Sequence, residues 1–300
     1  MVKLFGDNER FIKELFTPGS EFEYNNEFYQ IIYSDKPTCP HGEPKTDIYA
    51  KCKNLKDYSI KEFKISLKSE NADFLENKIS AERAEQLLGD DWQHIIYNSL
   101  LKIKSNFKKK KLIYKKRDWP TRKGSITLGW KFEFVNKESG LLSEQLNLST
   151  KQLIDIYAGS NLNRQKKDAY IKDQIVKNSG IANYIIEYTP DGNESLQDII
   201  NMILPIKTYI AKNNKIFFAC KALNYRTFKN KYDGNRPLAV YIDWNIKNEK
   251  LYPEYVFNEP LMKRGNYVAE NLIQSLKQLN IKTTEDINSS NVCSLKYIHK

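Results

Sequence analysis

An aspartate and a lysine that could act on one phosphate group lie near the two ends of residues 44–68. Asp47 precedes a β-type run at residues 48–53, and Lys68 ends a second run in which apolar and polar side chains alternate. A single carboxylate can hold Mg2+ when substrate phosphate oxygens and waters complete the coordination shell of the ion. A lysine beside that ion can position the attacking water or stabilise the charge that develops on the phosphate. These residue types together predict metal-assisted hydrolysis of a phosphoester.

Two strands of a β-hairpin must bring these residues together. The polar positions of the second strand alternate with apolar ones at Phe63, Ile65 and Leu67. A period of two places all the polar side chains of that strand on one face. If the hairpin folds about the middle of its polar turn, positions whose numbers sum to about 113 lie opposite each other. Asp47 then faces Ser66, and Lys68 lies one pleat further on. In the same register Lys51 faces Glu62 as a cross-strand charge pair.

The same stretch resembles the active-site motif of the PD-(D/E)xK nuclease superfamily. The Pro-x-x-Asp pattern that ends at Asp47 corresponds to the first part of that motif, and Lys68 corresponds to the lysine on the next strand. The longer sequence over residues 42–48 and 65–74 is similar to that of a subset of type II restriction endonucleases. In that subset a neutral residue replaces the acid before x-Lys, and Ser66 is the neutral residue here.

The resemblance covers about residues 42–90 and implies a fold, an activity and a cofactor. The implied fold class is α/β of the mixed α+β type, with a restriction-endonuclease-like core of a mixed β-sheet flanked by helices and a β-rich portion for DNA recognition. The implied activity is sequence-specific hydrolysis of double-stranded DNA with Mg2+, one or two ions per active site. Asp47 would ligate the metal, Lys68 would position the attacking water, and Ser66 would occupy the usual position of the second acid.

A second placement of the catalytic residues stays open. The Glu-x-Lys pattern occurs literally at Glu62 and Lys64, which form the alternative catalytic pair. The placement with Asp47 lacks a second acidic metal ligand. The candidates for that ligand are Glu62, Glu70 and the acids of the N-terminal helix, Glu9 and Glu14.

A basic segment at residues 102–123 indicates an anionic partner. It holds eleven lysines and arginines and one acid, a net charge of +10, whereas the whole chain of 300 residues carries +11. Because the run is internal and interleaved with aromatic residues, we expect it to contact DNA phosphates in a strongly salt-dependent manner. The residues predicted to bind DNA in this segment are Lys108, Lys109, Lys110, Lys111, Lys115, Lys116, Arg117, Arg122 and Lys123.

Two polar loops, at residues 159–167 and 224–236, are candidates for base recognition. In the major groove arginine pairs with guanine through two hydrogen bonds, and asparagine pairs with adenine. The side chains predicted to take part are Arg164, Tyr225, Arg226 and Arg236.

The absence of an internal repeat or low-complexity linker predicts one nuclease domain over residues 1–300. Its catalytic core would occupy about residues 1–136, and a recognition lobe would occupy about residues 137–300. Apolar periodicity predicts helices at residues 7–16, 74–88, 91–107 and 169–178, and strands at residues 21–33 and 125–135.

Composition narrows the class of protein. An apolar content of 40% with 12% aromatic residues is typical of a folded globule. No signal peptide or membrane-length apolar run occurs, so we expect a soluble, cytoplasmic protein. Cys39, His41 and Cys52 are too few for a zinc site, and we expect free thiols. No glycine-rich phosphate loop occurs, so no nucleotide cofactor is expected.

Together these observations favour a type II-like restriction endonuclease, a homodimer if its recognition site is palindromic. A non-catalytic DNA- or RNA-binding protein is the alternative from another class, because the basic segment would serve it equally well. Another PD-(D/E)xK nuclease, such as a repair or structure-specific enzyme, is the third hypothesis. The acid of the hairpin separates binding from catalysis, since binding alone does not need Asp47.

Overall fold

Helices and strands of a mixed α/β fold make up most of residues 5–40, 42–68, 74–77 and 79–300, the residues that a computed structural model describes. The helices are α1 (Phe5–Leu15), α2 (Ala81–Leu88), α3 (Trp92–Lys102), α4 (Lys104–Lys109), α5 (Thr150–Ala158), α6 (Arg164–Lys167), α7 (Leu196–Met202), α8 (Ile206–Lys212) and α9 (Gly265–Gln278). The strands are β1 (Glu21–Tyr24), β2 (Glu27–Asp35), β3 (Ile48–Asn54), β4 (Ile60–Lys68), β5 (Phe74–Glu76), β6 (Ile113–Tyr114), β7 (Ser125–Val135), β8 (Ser143–Gln145), β9 (Tyr170–Ile171), β10 (Gln174–Ile175), β11 (Tyr184–Glu187), β12 (Leu204–Pro205), β13 (Phe217–Arg226), β14 (Lys231–Tyr232), β15 (Pro237–Leu238), β16 (Val240–Lys247), β17 (Lys250–Val256), β18 (Lys263–Arg264) and β19 (Ile298–His299). The mixed α/β class that the sequence predicts is confirmed.

Contacts between these elements divide the chain into two compact units, and each unit contains two separate segments. Unit 1 consists of Met1–Asp73 and Leu148–Asn214, and unit 2 consists of Phe74–Asn147 and Lys215–Lys300. This division does not follow the expected boundary near residue 136. The assignment of catalysis and recognition to parts of the chain stays a prediction.

Unit 1 is built on a mixed sheet with the strand order β1-β2-β3-β4-β11-β12. Neighbouring strands are antiparallel from β1 to β4, whereas β11 runs parallel to β4 and β12 is antiparallel to β11. A parallel step needs a long crossover connection. The crossover here includes α5 and the whole first segment of unit 2.

The β3–β4 hairpin pairs in the register that the sequence predicts. Lys51 lies opposite Glu62, so the numbers of paired residues sum to 113. The turn is closed by the N–H of Asn54, which donates to the carbonyl of Ser59 (2.9 Å), and Oδ1 of Asn54 accepts from the N–H of Lys56 (2.8 Å). Because the turn is made by local polar residues, the register was predictable without knowledge of the rest of the fold.

One face of this sheet forms a hydrophobic core with α1 and α7. The fully buried ring of Phe63 packs edge-on against Phe22, with centroids 5.2 Å apart. Ile12 of α1 and Ile199 of α7 belong to the same cluster. The helix predicted at residues 7–16 is therefore confirmed as α1, and its apolar face holds it against the sheet.

The opposite face of the sheet contacts α8 at β11. Tyr209 of α8 donates a hydrogen bond from its hydroxyl to Glu187 of β11 (2.7 Å). The Tyr209 ring packs against Tyr157 of α5, with centroids 5.3 Å apart. Helices consequently lie against both faces of the sheet of unit 1.

Unit 2 is built on a second sheet with the order β14-β13-β7-β16-β17, to which β5, β6, β8 and β19 are attached. Its central strand β7 is buried at every position but Lys131 and confirms the strand predicted at residues 125–135. Helix α9 is fixed to β16 by Ser275, whose hydroxyl donates to the carbonyl of Trp244 (2.9 Å). The indole N–H of Trp244 donates in turn to Thr127 of β7 (3.0 Å).

Two predicted elements are wrong in part. Residues 74–76 of the helix predicted at 74–88 are a strand, β5, which pairs with β7, and the helix itself is limited to α2. The single strand predicted at residues 21–33 is a hairpin of β1 and β2. Asn25 and Asn26 have φ of 54° and 62°, the left-handed conformation that a tight hairpin turn requires.

The helix predicted at residues 169–178 is wrong. The segment forms the β9–β10 hairpin, whose connection includes Lys172 with φ of 52°. Tyr170 also bridges Thr38, and Asp168 accepts a hydrogen bond from the N–H of Asn178 (2.9 Å). These non-local and turn contacts outweigh the helical periodicity of a short segment.

Candidate active site

Asp47 lies directly before β3, and β4 holds both its backbone and its side chain. The N–H of Asp47 donates to the carbonyl of Ile65 (2.9 Å). Its Oδ2 accepts from the N–H of Leu67 (2.7 Å) and from the hydroxyl of Ser66 (3.4 Å). Both hydrogen bonds that the described residues donate to this carboxylate go to Oδ2, so Oδ1 keeps its capacity to coordinate a cation. The expected juxtaposition of Asp47 with Ser66 is confirmed, while their catalytic roles stay predictions.

Burial raises the pKa of the Asp47 carboxyl above its ordinary value. The positive charge of Lys68 and the hydrogen bond from Leu67 lower the pKa, but they do not outweigh burial. A carboxylate in this position ionises more easily when a further positive charge lies beside it. A divalent cation bound to Oδ1 would supply that charge.

The charge of a second acid, Glu9 of α1, affects the pKa of the Asp47 carboxyl. The negative charge of Glu9 contributes to the raised pKa of Asp47, and the charge of Lys36 opposes it. The Nζ of Lys36 lies 2.6 Å from Oε1 of Glu9, whose side chain is 14% exposed. Burial would lower the pKa of Lys36, but the hydrogen bond and charge of Glu9 raise it. Glu9, Lys36, Asp47 and Lys68 of unit 1 are therefore coupled through their charges, and we call these two acids and two lysines the carboxylate–lysine cluster.

The alternative pair, Glu62 and Lys64, lies on the same face of the hairpin but further from Asp47. Glu62 accepts a hydrogen bond from the hydroxyl of Tyr49 (2.6 Å) and lies 3.7 Å from Nζ of Lys64. Glu62 is four residues from Ser66 along β4, a distance of about 13 Å at the usual strand rise. Because Asp47 faces Ser66, Glu62 is too far along the strand to share one Mg2+ with Asp47. Each ligand atom of Mg2+ lies only about 2 Å from the ion.

Glu70 lies outside the described residues, and Glu14 is an exposed residue near the end of α1. Among Glu62, Glu70, Glu9 and Glu14, Glu9 is thus the candidate second ligand whose charge acts on the Asp47 carboxyl. The sequence shows Glu9 on a predicted helix but contains no local feature that distinguishes it from Glu14. The effect of Glu9 on Asp47 depends on how α1 packs on the sheet.

Glu187 is a further acid near the site, and it is not among the residues predicted from the sequence. The parallel pairing of β11 with β4 places Glu187 opposite Lys68 and Ile185 opposite Ser66. Paired residues of parallel strands point to the same face, and neighbouring strands are about 4.8 Å apart. Glu187 is exposed and accepts the hydrogen bond from Tyr209. No local pattern indicates this position, because it depends on a strand far away in the sequence.

The basic segment lies in unit 2, and most of its cations are exposed. The exposed members are Lys102, Lys104, Lys108, Lys109, Lys116, Arg117, Arg122 and Lys123. Lys110, Lys111 and Lys115 are half-buried. Lys111 donates from Nζ to the carbonyl of Lys296 (2.8 Å), and Lys115 donates to the carbonyl of Glu285 (3.0 Å). Lys123 pairs with the carboxylate of Glu285 (3.0 Å). The segment is therefore attached to the C-terminal region of unit 2 by a few of its lysines, while the others face solvent.

The residues predicted to contact bases are not equally accessible. Tyr225 is buried in β13 and donates from its hydroxyl to Asn230 (2.7 Å), and Arg226 pairs with Asp233. Arg236 is exposed, and Arg164 of α6 is exposed with a 3.7 Å ion pair to Asp168. Tyr225 and Arg226 belong to a strand rather than to the expected loop, and both are engaged within the protein.

The donor set around Asp47 fits Mg2+ better than a metal that needs three or four protein ligands. In the described part of the chain no group of three or more His, Cys, Asp and Glu side chains could hold a metal ion. Mg2+ is commonly bound by one or two carboxylates, with waters and substrate phosphates as the remaining ligands. Asp47, whose Oδ1 accepts no hydrogen bond from the described residues, is the carboxylate that could hold it, and Glu9 is the candidate second ligand. The described cysteines, including Cys39 and Cys52, are free thiols, and His41 lies outside the described residues.

Comparison of the chain with family models, with curated proteins and with solved structures found no match. Among the helices of the described ranges, none has the length and apolar character needed to cross a membrane.

Proposed function

We propose that this protein is a Mg2+-dependent endonuclease that hydrolyses double-stranded DNA in the manner of a type II restriction endonuclease. The observation that carries the proposal is the position of Asp47, whose carboxylate is bound by the backbone of β4 at Leu67, with Lys68 next along the strand. A mixed sheet with helices against both faces supports it, because that is the core which the resemblance to PD-(D/E)xK nucleases implies.

The residues of the cluster have distinct roles in this proposal. Asp47 and Glu9 would hold Mg2+, which would supply a Lewis acid for the phosphate and lower the pKa of a bound water. Ser66 and Leu67 orient the Asp47 carboxylate through their hydrogen bonds to Oδ2. Lys68 positions the attacking water and stabilises negative charge on the phosphate. Serine at the buried position 66 keeps a second negative charge from being desolvated beside Asp47.

The DNA partner is supported by the charge distribution. The exposed cations of residues 102–123 would bind phosphates, and the exposed Arg164 and Arg236 are the remaining candidates for base contacts. A homodimer would match a palindromic recognition site, because the twofold axis of the protein then coincides with that of the DNA.

Two isosteric substitutions test the proposal and separate the two placements of the active site. Plasmid DNA is incubated with the wild-type protein, Asp47→Asn or Glu62→Gln, with Mg2+ or with EDTA. We expect discrete Mg2+-dependent fragments from the wild type and from Glu62→Gln. Asp47→Asn should lose at least about a thousandfold in cleavage rate while still binding DNA. If cleavage persists in Asp47→Asn but is lost in Glu62→Gln, the active site is instead formed by the alternative pair, Glu62 and Lys64.

A non-catalytic nucleic-acid-binding protein is the second candidate function. The observation that favours it is the row of exposed cations at residues 102–123, which DNA or RNA binding would use without any need for Asp47. DNA that is shifted but never cut, with every divalent ion tested, would establish this function and overturn the nuclease proposal. Nicking that depends on DNA structure rather than sequence would instead indicate a repair-type nuclease of the same superfamily.

A further inference from the structure

Trp119, in the basic segment of unit 2, is far more exposed than a tryptophan in a folded protein usually is. Its relative exposure of 78% is the highest among the large hydrophobic side chains of the described residues. The other tryptophans of the chain, Trp92, Trp130 and Trp244, are all buried. An exposed aromatic ring of this size leaves a large apolar area in water, and such a surface often marks a binding site.

The turn that carries Trp119 is well defined by hydrogen bonds. Asp118 and Thr121 exchange both backbone N–H···O=C bonds, of 3.0 and 2.6 Å, around it. The base of the turn is fixed where the N–H of Gly124 donates to Tyr114 (2.8 Å) and the N–H of Thr227 donates to Gly124 (2.8 Å). The ring is thus presented on a preorganised support, which reduces the entropy that binding would cost.

Gly124 is required for this arrangement. It has φ of +79°, and a Cβ on it would lie 2.2 Å from the ring of Phe228. Phe228 is itself 52% exposed, so a second aromatic ring lies at the base of the same turn. The Nζ of Lys123 is 5.8 Å from the centroid of that ring.

The charge around Trp119 identifies the chemistry of its partner. The guanidinium of Arg117 is 4.7 Å from the centroid of the Trp119 ring, and Lys116 and Arg122 are exposed on the same turn. Flat apolar surface in a positive field suits a ligand that combines anionic groups with flat aromatic rings. Nucleic acid has both, and its bases stack on exposed aromatic side chains of proteins.

We propose that Trp119 stacks on a base of the bound DNA while Lys116, Arg117 and Arg122 bind the adjacent phosphates. The inference rests on the proposed function in taking DNA as the partner. It adds a base contact to a segment that was otherwise expected to bind only the backbone. A ring of this kind can insert at a base step of a duplex or stack on an unpaired base.

Binding is measured in EDTA, so that no DNA is cut, with a short duplex, with single-stranded oligo(dT) and with heparin. Trp119→Ala should bind DNA about tenfold more weakly than the wild type, with an unchanged dependence on salt, and Trp119→Phe should recover most of the loss. Affinity for heparin, which has no bases, should not change. Tyr58→Ala is the matched control, because Tyr58 is a 68% exposed aromatic residue on a turn of unit 1.

Tryptophan fluorescence gives a readout that does not depend on a substitution. Because the other three tryptophans are buried, quenching of the solvent-exposed emission by DNA reports on Trp119.

Preferential loss of duplex or of oligo(dT) binding in Trp119→Ala would identify which form of DNA provides the base. Equal affinity of Trp119→Ala and wild type for both DNAs, without quenching, would overturn the inference and leave the nuclease proposal intact. A wild-type protein that binds and is quenched but never cuts DNA would overturn the nuclease proposal alone. A wild-type protein that binds neither DNA would overturn both.

Discussion

At the residue scale, Asp47 combines a buried carboxylate with a position that only two strands together can create. Its Oδ2 is bound by β4, and its pKa is raised because burial outweighs the charge of Lys68. When this carboxyl ionises, it lowers the free energy of unfolding of the metal-free protein. A bound cation would offset that cost by stabilising the charged form. Residues with this conflict between stability and charge occur frequently in functional sites.

Asp47→Asn should stabilise the metal-free protein at neutral pH. A raised pKa means that the folded protein holds the proton more tightly than the unfolded chain does. Stability is therefore lost as the pH rises from the ordinary value of 3.8 through the raised one. Thermal unfolding in EDTA should give a higher Tm for the variant at neutral pH and equal Tm values well below pH 3.8. A lower Tm for Asp47→Asn at neutral pH would contradict the role of burial.

Glu9→Gln tests the second metal ligand. If Glu9 shares the ion with Asp47, the Mg2+ concentration for half-maximal cleavage should rise about tenfold or more, because one charged ligand is lost. Glu14→Gln is the control, since it makes the same change on the exposed part of the same helix. An unchanged Mg2+ requirement in Glu9→Gln would show that Glu9 is not a metal ligand. Glu187, opposite Lys68, would then be the candidate for the second ligand.

At the element scale, the β3–β4 hairpin positions the site because one of its faces packs in the core and the other carries the polar residues of the site. The face with Phe63 and Leu67 is buried against α1 and α7, while the other carries Ser66 and Lys68 beside Asp47. The aromatic packing around Phe63 fixes β4 in the sheet. A one-residue slip of β4 would turn Ser66 and Lys68 into the core, so the core and the proposed active site depend on the same register.

Phe63→Ala should destabilise unit 1 by about 3–5 kcal/mol, because it leaves a cavity among rings that include Phe22 and Tyr184. Ile60→Ala on the same strand is the control, since Ile60 is 52% exposed and should cost less than about 1 kcal/mol. Urea unfolding followed by circular dichroism measures both changes. Similar costs for the two variants would contradict a packed core on this face.

At the scale of the whole molecule, charge is distributed unevenly along the chain. Residues 102–123 carry a net +10 of the total +11 and belong to unit 2, while the carboxylate–lysine cluster belongs to unit 1. The charges proposed to attract DNA and the groups proposed to cleave it therefore depend on different hydrophobic cores. Binding and cleavage should respond to different substitutions.

The salt dependence of DNA binding tests this separation of charge. Neutralising Lys108, Lys109, Lys116 and Arg122 together should lower the slope of log affinity against log salt by about three to four, since each phosphate contact contributes about 0.9. The matched control removes four exposed lysines elsewhere, Lys212, Lys215, Lys277 and Lys282. Both variants have the same net charge, so an equal loss of slope would show that overall charge, and not this segment, governs binding.

Sequence alone determined the features of this protein that depend on near neighbours. The alternation in β4 and the polar turn that begins at Asn54 are local, so they predicted the register that places Asp47 beside Ser66. The amphipathic pattern of α1 and the apolar run of β7 were recognisable for the same reason. The predictions failed at residues 74–76 and 169–178, where pairing with other strands or turn geometry outweighed a short helical period.

Only the tertiary structure decided which distant residues join the site. Glu9 acts on Asp47 because α1 packs on the sheet, and Glu187 lies opposite Lys68 because β11 pairs in parallel with β4. The raised pKa of Asp47 and the exposure of Trp119 likewise depend on what the rest of the chain covers. Burial and parallel pairing join segments far apart in the sequence, and no local pattern of residue types encodes them.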